Sequence, residues 1–483
     1  MTCPTRRGTG RPRLTPPHPT PPSAIEERSK TNMTVFNEAS NEASNEASNE
    51  ASNEASGAAS RLAGALARSV GGPVLRPDDT GFADELASFQ LALRHRPDLV
   101  VGARDTADVR AAVRLAGEYG VPLTVHSTGH GMGLAADSGI VLTVRRLNGV
   151  VVDPVERTAR VEGGATWGEV AAAAAPHGLV PPGGSMAGVG AVGYTFGGGI
   201  GLLGRSDGWA ADLVRSFTVV TEGGEERRVD ERDSERFARL RGTGPLPGEV
   251  VTSMTIGLLP EGTLQGGGLT FDIGASDAEG DPGVLHAFRE WTAGVPDELT
   301  STLRVMAFPD GDFLPPPLRG RRIARVAIAL RGTAEDAGRL VAPLRKAAET
   351  IEDTLAPMAY TDAARVHDEP DTPGPYIGEN VLIDTLDPTA LETLARSNGH
   401  PMVIMNIRHL GGALARPPVV PDTVRGRDAR YLVAAVSLVD PEVSVTDPAA
   451  THEQASPAWA LEPFVPARVG VSPGFSVGPR GKN

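Results

Sequence analysis

The sequence predicts a two-domain α+β protein preceded by an unstructured tail, and three observations carry that prediction. At 483 residues the chain exceeds what one hydrophobic core organises. Short apolar runs alternate with helix-period segments from Asp98, and the pattern changes after Pro260, which puts a boundary near 260–268 at the glycine cluster GTLQGGG. The composition is 40% hydrophobic and 22% charged, so most of the chain can bury enough apolar surface to fold.

The N-terminus lies outside that pattern. Residues 1 to about 32 are rich in proline and arginine, and residues 37–56 are five copies of NEAS. A tetrapeptide period gathers no apolar face at either 3.6 or 2 residues, so residues 1–60 are expected to be a disordered tail. Met33 offers an alternative start. The Arg6–Arg7 pair hints at twin-arginine export, but prolines follow it where an apolar segment would be needed. No membrane-length apolar window exists, and a cytoplasmic location is expected. A net charge of -14 disfavours nucleic acid as a partner. Cys3 is the only cysteine, so neither a disulfide framework nor a cysteine metal cage is expected, and no metal site is assigned.

The ordered elements follow in turn. In DTADVRAAVRLAGEYG, Asp105 or Thr106 can cap a helix whose Val109, Ala112, Val113 and Ala116 share a face, and Gly120 ends it. VPLTV (121–125) reads as a buried strand running into the tight turn STGHGMG. IVLTV (140–144), GVVV (149–152) and RTARVE (157–162) read as further strands. Thr166 and Glu169 form a capping box for an alanine-rich helix that stops at Pro176 and Gly178. Beyond the boundary, REWTAGVPDELT and RRIARVAIALRG form a strand and helix set with the helix-like TAEDAGRLVAPLRKAAETIEDTL.

Gly188, Gly190 and Gly193 spell G-x-G-x-x-G, the pattern of a Rossmann phosphate loop. That loop needs a strand before it and a helix after it, whereas LVPPGGSM precedes it and YTFGGGIGLLG, too glycine-rich to start a helix, follows. Glycine also serves where backbone must pass close to a flat, phosphate-bearing cofactor. Residue types alone leave that use and a plain set of tight turns equally open.

Several ordered motifs together resemble a known family. VPLTVHSTGHG, RLNGVVVDPVERTARVEGGATWGEVAAAAAPHGLVPPGGS and VGYTFGGGIGLLGRSDGWAADLV resemble the vanillyl-alcohol-oxidase (PCMH)-type FAD-binding domain of bacterial berberine-bridge-enzyme-like oxidoreductases. The resemblance runs from Pro97 to Pro260 and continues more weakly through WTAGVPDELT and RHLGGALARPP. It implies a two-part FAD-binding domain at 61–262 and a substrate domain at 263–430 whose antiparallel sheet is covered by helices. A C-terminal segment, 431–483, would return to the FAD domain with an atypical end.

The resemblance also implies site residues. One loop, Ser127, Thr128, Gly129, His130 and Gly131, would wrap the FAD pyrophosphate, and His130 matches the histidine that many members bond to the flavin 8α carbon. A second loop with Val189, Gly190, Gly193, Gly197, Gly198 and Gly199 would pack on the flavin, followed by backbone at Val250 and Val251. Doubly linked members carry a cysteine where Ser185 or Met186 stands here, so no cysteinyl link is expected. The family's Y-x-N end is absent, and in LRGTGPLPGEVVT the pair Leu246 and Pro247 replaces N-F. Candidate catalytic groups are therefore Tyr376, Glu379 and His409, with His367 considered beside them; Arg408 and Arg416 could bind an anionic substrate or close surface ion pairs. The implied activity is transfer of hydride from an alcohol or amine carbon of a small molecule to FAD, with O2 as acceptor. The alternatives are a vestigial flavin-binding protein and a nicotinamide-dependent Rossmann enzyme; oligomeric state is not assigned.

Overall fold

Asp105 caps the helix Thr106–Tyr119 by accepting from the Asp108 amide, and Gly120, at φ 64°, closes it in the left-handed region. Its buried face, Val109, Ala112, Val113 and Ala116, packs on a four-stranded sheet. Three of those strands, Leu99–Gly102, Ile140–Thr143 and Leu123–His126, are parallel and lie in that order, with Val74–Leu75 antiparallel at the edge. Leu99–Gly102 and Ile140–Thr143 are buried at every residue, as strands covered on both faces must be. Leu123–His126 is the other edge, and its carboxyl end feeds the loop that begins at Ser127, where α/β sheets place their ligands.

The computed structural model describes residues 57, 59–312, 314–396, 403–439 and 457–478; the expected tail, with its NEAS repeat and Arg6–Arg7 pair, lies outside them. From Leu62 onward the chain forms one compact unit. A second sheet is antiparallel, in the order Val150–Asp153, Thr158–Glu162, Val250–Gly257, Val214–Val220, Glu226–Val229. Thr166 and Glu169 form both halves of the capping box on the helix Trp167–Ala174, whose Trp167, Val170 and Ala174 fill the core beneath this sheet.

Two local expectations are corrected. YTFGGGIG does follow a helix start: Ala191–Phe196 forms one short helix, halted by Gly197. A helix does follow Gly190, then, but the strand nearest upstream is the two-residue Leu179–Val180, antiparallel to Leu259–Pro260, so the Rossmann strand-loop-helix is still missing. The helix read across residues 333–355 stops at Arg345, and Thr350–Asp353 is a strand. Its β-branched Thr350 and Ile351 add an edge to Leu269–Phe271, a tertiary pairing that overrides the helical pattern.

The third sheet dominates residues beyond 263. Its order is Thr350–Asp353, Leu264–Ala275, Arg321–Arg331, Leu299–Ala307, Val403–His409, Tyr431–Leu438, Tyr376–Ile383, Arg468–Gly470, all antiparallel, with Ala356–Met358 also against Leu264–Ala275. A boundary at 430/431 would cut this sheet, because Tyr431–Leu438 lies inside it. The helices Gly283–Thr292, Ala334–Arg345 and Pro388–Arg396 cover one face through Phe288, Val341 and Leu391. On the opposite face, part of which packs through Ala327, Ala329, Leu382 and Leu432 against Leu202, Val366 and Trp209, stand the polar Arg304, Arg325, Asn380 and Arg408.

Candidate functional site

A cavity of 680 Å³ lies between that polar sheet face and the two glycine loops. Of the residues the resemblance singles out, Ser127, Thr128, Gly129, His130 and Gly131 form one wall, and Val189, Gly190, Gly193, Gly197 and Gly199 another, with Val250 and Val251 beyond them. Gly198 is turned away. At φ 94° it bends the loop, and a Cβ there would meet the Trp209 ring at 2.7 Å. Gly129 has φ 75°, and a Cβ on it would run into Ser88 Oγ, so this turn is closed to side chains.

The two loops are tied together at Thr128. Its hydroxyl shares a hydrogen bond with His130 Nδ1 at 2.8 Å and accepts from the Gly190 amide at 3.4 Å. His130 stacks on Phe89, 4.0 Å between centroids and 11° between planes, so both its rotation and its translation are fixed. Burial drives its pKa down to about 4, leaving a neutral imidazole at physiological pH. Its Nε2 is buried without a partner among the described residues.

Two further polar atoms on this wall are in the same condition, Ser127 Oγ and Trp167 Nε1. His95 Nε2, also on the cavity lining, is a fourth. Buried polar atoms without partners cost free energy, so four of them around one cavity mark the place of a polar ligand. Gly131 and Gly193 agree, since a Cβ at either would meet nothing within 4 Å. Donors in loops with open glycine backbone between them fit a cofactor with both phosphates and a broad ring, and FAD meets that description.

The opposite wall carries Tyr376 and Arg408 from the sheet and Glu369 from the loop that follows the short helix Ala364–His367. The Tyr376 hydroxyl donates to the His130 carbonyl at 3.0 Å, and burial, with Glu369 nearby, pushes its pKa up to about 12. Glu369 follows Asp368, a left-handed residue (φ 51°) that ends the short helix Ala364–His367 and turns the chain toward the cavity. One Glu369 oxygen accepts from Arg304 at 3.1 Å and the other from Ser185 Oγ at 2.9 Å. Burial works against ionisation of this carboxyl; His367, Arg304 and Arg408, with the Ser185 bond, outweigh it and hold the pKa below the usual range. Arg304, 8% exposed, also donates to the Asn406 side chain and to the His367 carbonyl, both at 2.9 Å.

Glu379 and His409 are not on this wall. Strand residues alternate between faces, so Glu379, three positions from Tyr376, takes the other face and is exposed. His409 likewise opposes Arg408: it packs against Tyr431, accepts from Arg205 Nη1 at 3.1 Å, and burial pushes its pKa down to about 3. His367 is buried behind Arg304 and off the cavity wall. Arg416 pairs at the surface with Asp297 at 3.7 Å.

The wall also has members that the sequence did not mark. Glu369 sits in DEPDTPGPY, where nothing in spacing distinguishes it. The segment Ser472–Val477 closes the cavity with Pro473, Gly474 and Phe475. It is pinned by Asn380, which donates to the Ser472 carbonyl at 2.9 Å and accepts the Ser472 amide at 2.7 Å, and by a bridge between Val477 and Gly378.

The fold and cavity define an FAD-binding protein in which two loops face a substrate sheet. Comparison with known proteins agrees. Residues 97–230 match a family model described as an FAD binding domain. The (R)-6-hydroxynicotine oxidase of Paenarthrobacter nicotinovorans is 31% identical over 308 residues, 62% of this chain and 64% of that protein. The match thus spans just under two thirds of that relative's length. The crystal structure of 6-hydroxy-D-nicotine oxidase from Arthrobacter nicotinovorans superposes with a TM-score of 0.69 at 24% identity, covering 85% of this chain and 88% of the other. A BBE-like protein of Physcomitrella patens gives 0.71 at 16% identity, over 86% and 90%. Residues 97–230 are thus an FAD binding domain, and the fold of the chain is similar to that of the 6-hydroxy-D-nicotine oxidase and BBE-like structures. No helix among the described residues is long and apolar enough to cross a membrane.

Proposed function

We propose that the protein is an FAD-dependent oxidase that dehydrogenates an alcohol or amine carbon of a small organic molecule, with O2 as the final electron acceptor. The observation that carries this reading is the meeting, across one cavity, of four orphaned polar atoms with an ionised carboxylate and a tyrosine. FAD, when bound, supplies the two-electron chemistry. Ser127, Thr128, Gly190, Gly193 and Trp167 would hold it, and His130, neutral and fixed by Phe89, is the residue suited to carry a covalent bond to it. No cysteine is available for a second bond.

The chain's own part is orientation and proton handling. Glu369 is held ionised and immobile by Arg304 and Ser185, so it can accept the proton that a substrate hydroxyl or amine must release. The other carboxylate on the wall, Glu249, is occupied by Arg236, by Arg239 at 2.9 Å and by the Leu246 amide at 2.9 Å. Tyr376, with its pKa raised, keeps its proton, directed at the His130 carbonyl, and offers substrate a hydroxyl oxygen that can accept a hydrogen bond.

Absorbance of the purified protein tests the reading: a flavin band near about 450 nm is expected, and its bleaching under anaerobic donor with recovery in air would follow. Colour that stays in the acid-precipitated pellet is expected if His130 carries the bond. A protein that binds no FAD on reconstitution refutes the proposal.

A further inference from the structure

Arg408 stands apart from the other arginines of its sheet face. Arg304 spends its donors on Asn406, His367 and Glu369, and Arg325 on Thr270, Glu352 and Thr354. Arg408 lines the cavity, half-buried, and makes neither hydrogen bond nor ion pair among the described residues. Its one specific contact is the Phe475 ring, whose centroid lies 5.0 Å from the guanidinium carbon. That contact places the group over the ring and leaves its donors unspent. Glu369 forms no ion pair or hydrogen bond with it; the Glu369 oxygens accept from Arg304 and Ser185 instead. Glu352, the other acid near this face, faces solvent and pairs with Arg325.

A guanidinium carries five N–H donors in a rigid fork that matches a carboxylate with two parallel bonds. Holding such a fork half out of water with no acceptor costs free energy that a bound oxyanion would recover. We propose that the substrate carries a carboxylate, and that Arg408 on its Phe475 platform docks this group while the oxidisable carbon is presented within the same cavity. This rests on the oxidase reading above and adds to it the substrate class: organic acids that also bear a hydroxyl or amine.

The experiment uses the full-length, flavin-loaded protein. Acetate, benzoate and indole-3-acetate are titrated against their amides, with binding read by perturbation of the flavin spectrum and by calorimetry. At least one carboxylate is expected to bind about tenfold or more tightly than its amide, the loss typical of an unpaired charged hydrogen bond. Arg408→Gln should erase that preference with flavin content unchanged, and Arg408→Lys should keep part of it, since the charge stays and the fork is lost. Arg408→Lys also stands in if the glutamine variant does not fold. Equal affinity for acids and amides, or a preference that survives Arg408→Gln, overturns the proposal. If Arg408→Gln instead releases flavin, the anion Arg408 serves belongs to the cofactor, and the proposal also falls. A preparation that takes up no flavin refutes the oxidase reading, and calorimetry on it still reports whether Arg408 selects carboxylates.

Discussion

Replacing Arg304 by methionine should destabilise the protein in a pH-dependent way. Arg304 is buried and gives one donor to Glu369, one to Asn406 and one to the His367 carbonyl, so its loss leaves a carboxylate without its partner in a low-dielectric wall. Removing one member of a buried ion pair costs about 3 kcal/mol, which for a unit of this size is a fall of about 3 °C in Tm. In the native protein the Glu369 pKa is depressed, so this group adds stability above its unfolded pKa, and that stability is lost as pH falls through the folded value. In Arg304→Met one of the charges that offset burial is gone, so the folded pKa rises and the stability that the ionised group adds at neutral pH shrinks, an effect that protonation removes. The gap in Tm between the two proteins is therefore expected to be widest near pH 8 and to narrow toward pH 4.5. The acid limb of kcat/KM should move upward by about one unit or more in the variant, a unit corresponding to about 1.4 kcal/mol. Thermal melts of both flavin-loaded proteins across that range provide the measurement. A Tm gap that is the same at pH 4.5 and pH 8 would refute the reasoning, because it would mean that Glu369 does not depend on Arg304 for its charge.

Other expectations follow from the same geometry. His130→Ala should leave flavin extractable by acid, read as colour moving from pellet to supernatant. Gly193→Val should lower flavin content with little change in the melting of the flavin-free chain, because its side chain would enter open cavity and not packed core. Tyr376→Phe removes the hydroxyl and should raise KM, with a loss of about tenfold or less in kcat/KM. Glu379→Gln should leave activity unchanged and stability within about 0.5 kcal/mol of the parent, since that side chain is on the solvent-exposed side of its strand.

What was legible in the sequence was what local chemistry dictates. Asp105, Gly120 and the Thr166–Glu169 box each act within four residues, and each appears where the pattern placed it. The ordered motifs picked out the two glycine loops, which the fold brings together around one cavity, although the Gly190–Gly197 segment holds a short helix. Long-range partners were not legible. The strand Thr350–Asp353 owes its existence to Leu269–Phe271, some eighty residues earlier in the chain, and no window around it reveals that partner. Glu369 is in the same position: its charge state is set by Arg304 and Ser185, distant in sequence and adjacent only in the fold.

The choice among Tyr376, Glu379, Arg408 and His409 was nevertheless within reach of a simple rule. On Tyr376–Ile383, Val381 and Ile383 pack against the helices, so residues of the same parity, Ile377 and Glu379, cannot face the cavity, whereas Tyr376 and Asn380 can. On Val403–His409 the inward set is Met405 and Ile407, which assigns His409 to the helix side and Arg408 to the cavity. Judged by residue type alone, the histidine and the glutamate looked catalytic and the arginine looked like a surface charge. Period two reverses that ranking, because the apolar residues of each strand declare which face is core and leave the polar face to the site. The same parity puts Asn406 two residues before Arg408 on one strand and Arg304 on the neighbouring strand, and among the described residues the cation of that face without a hydrogen-bonded acceptor is also one that faces the cavity.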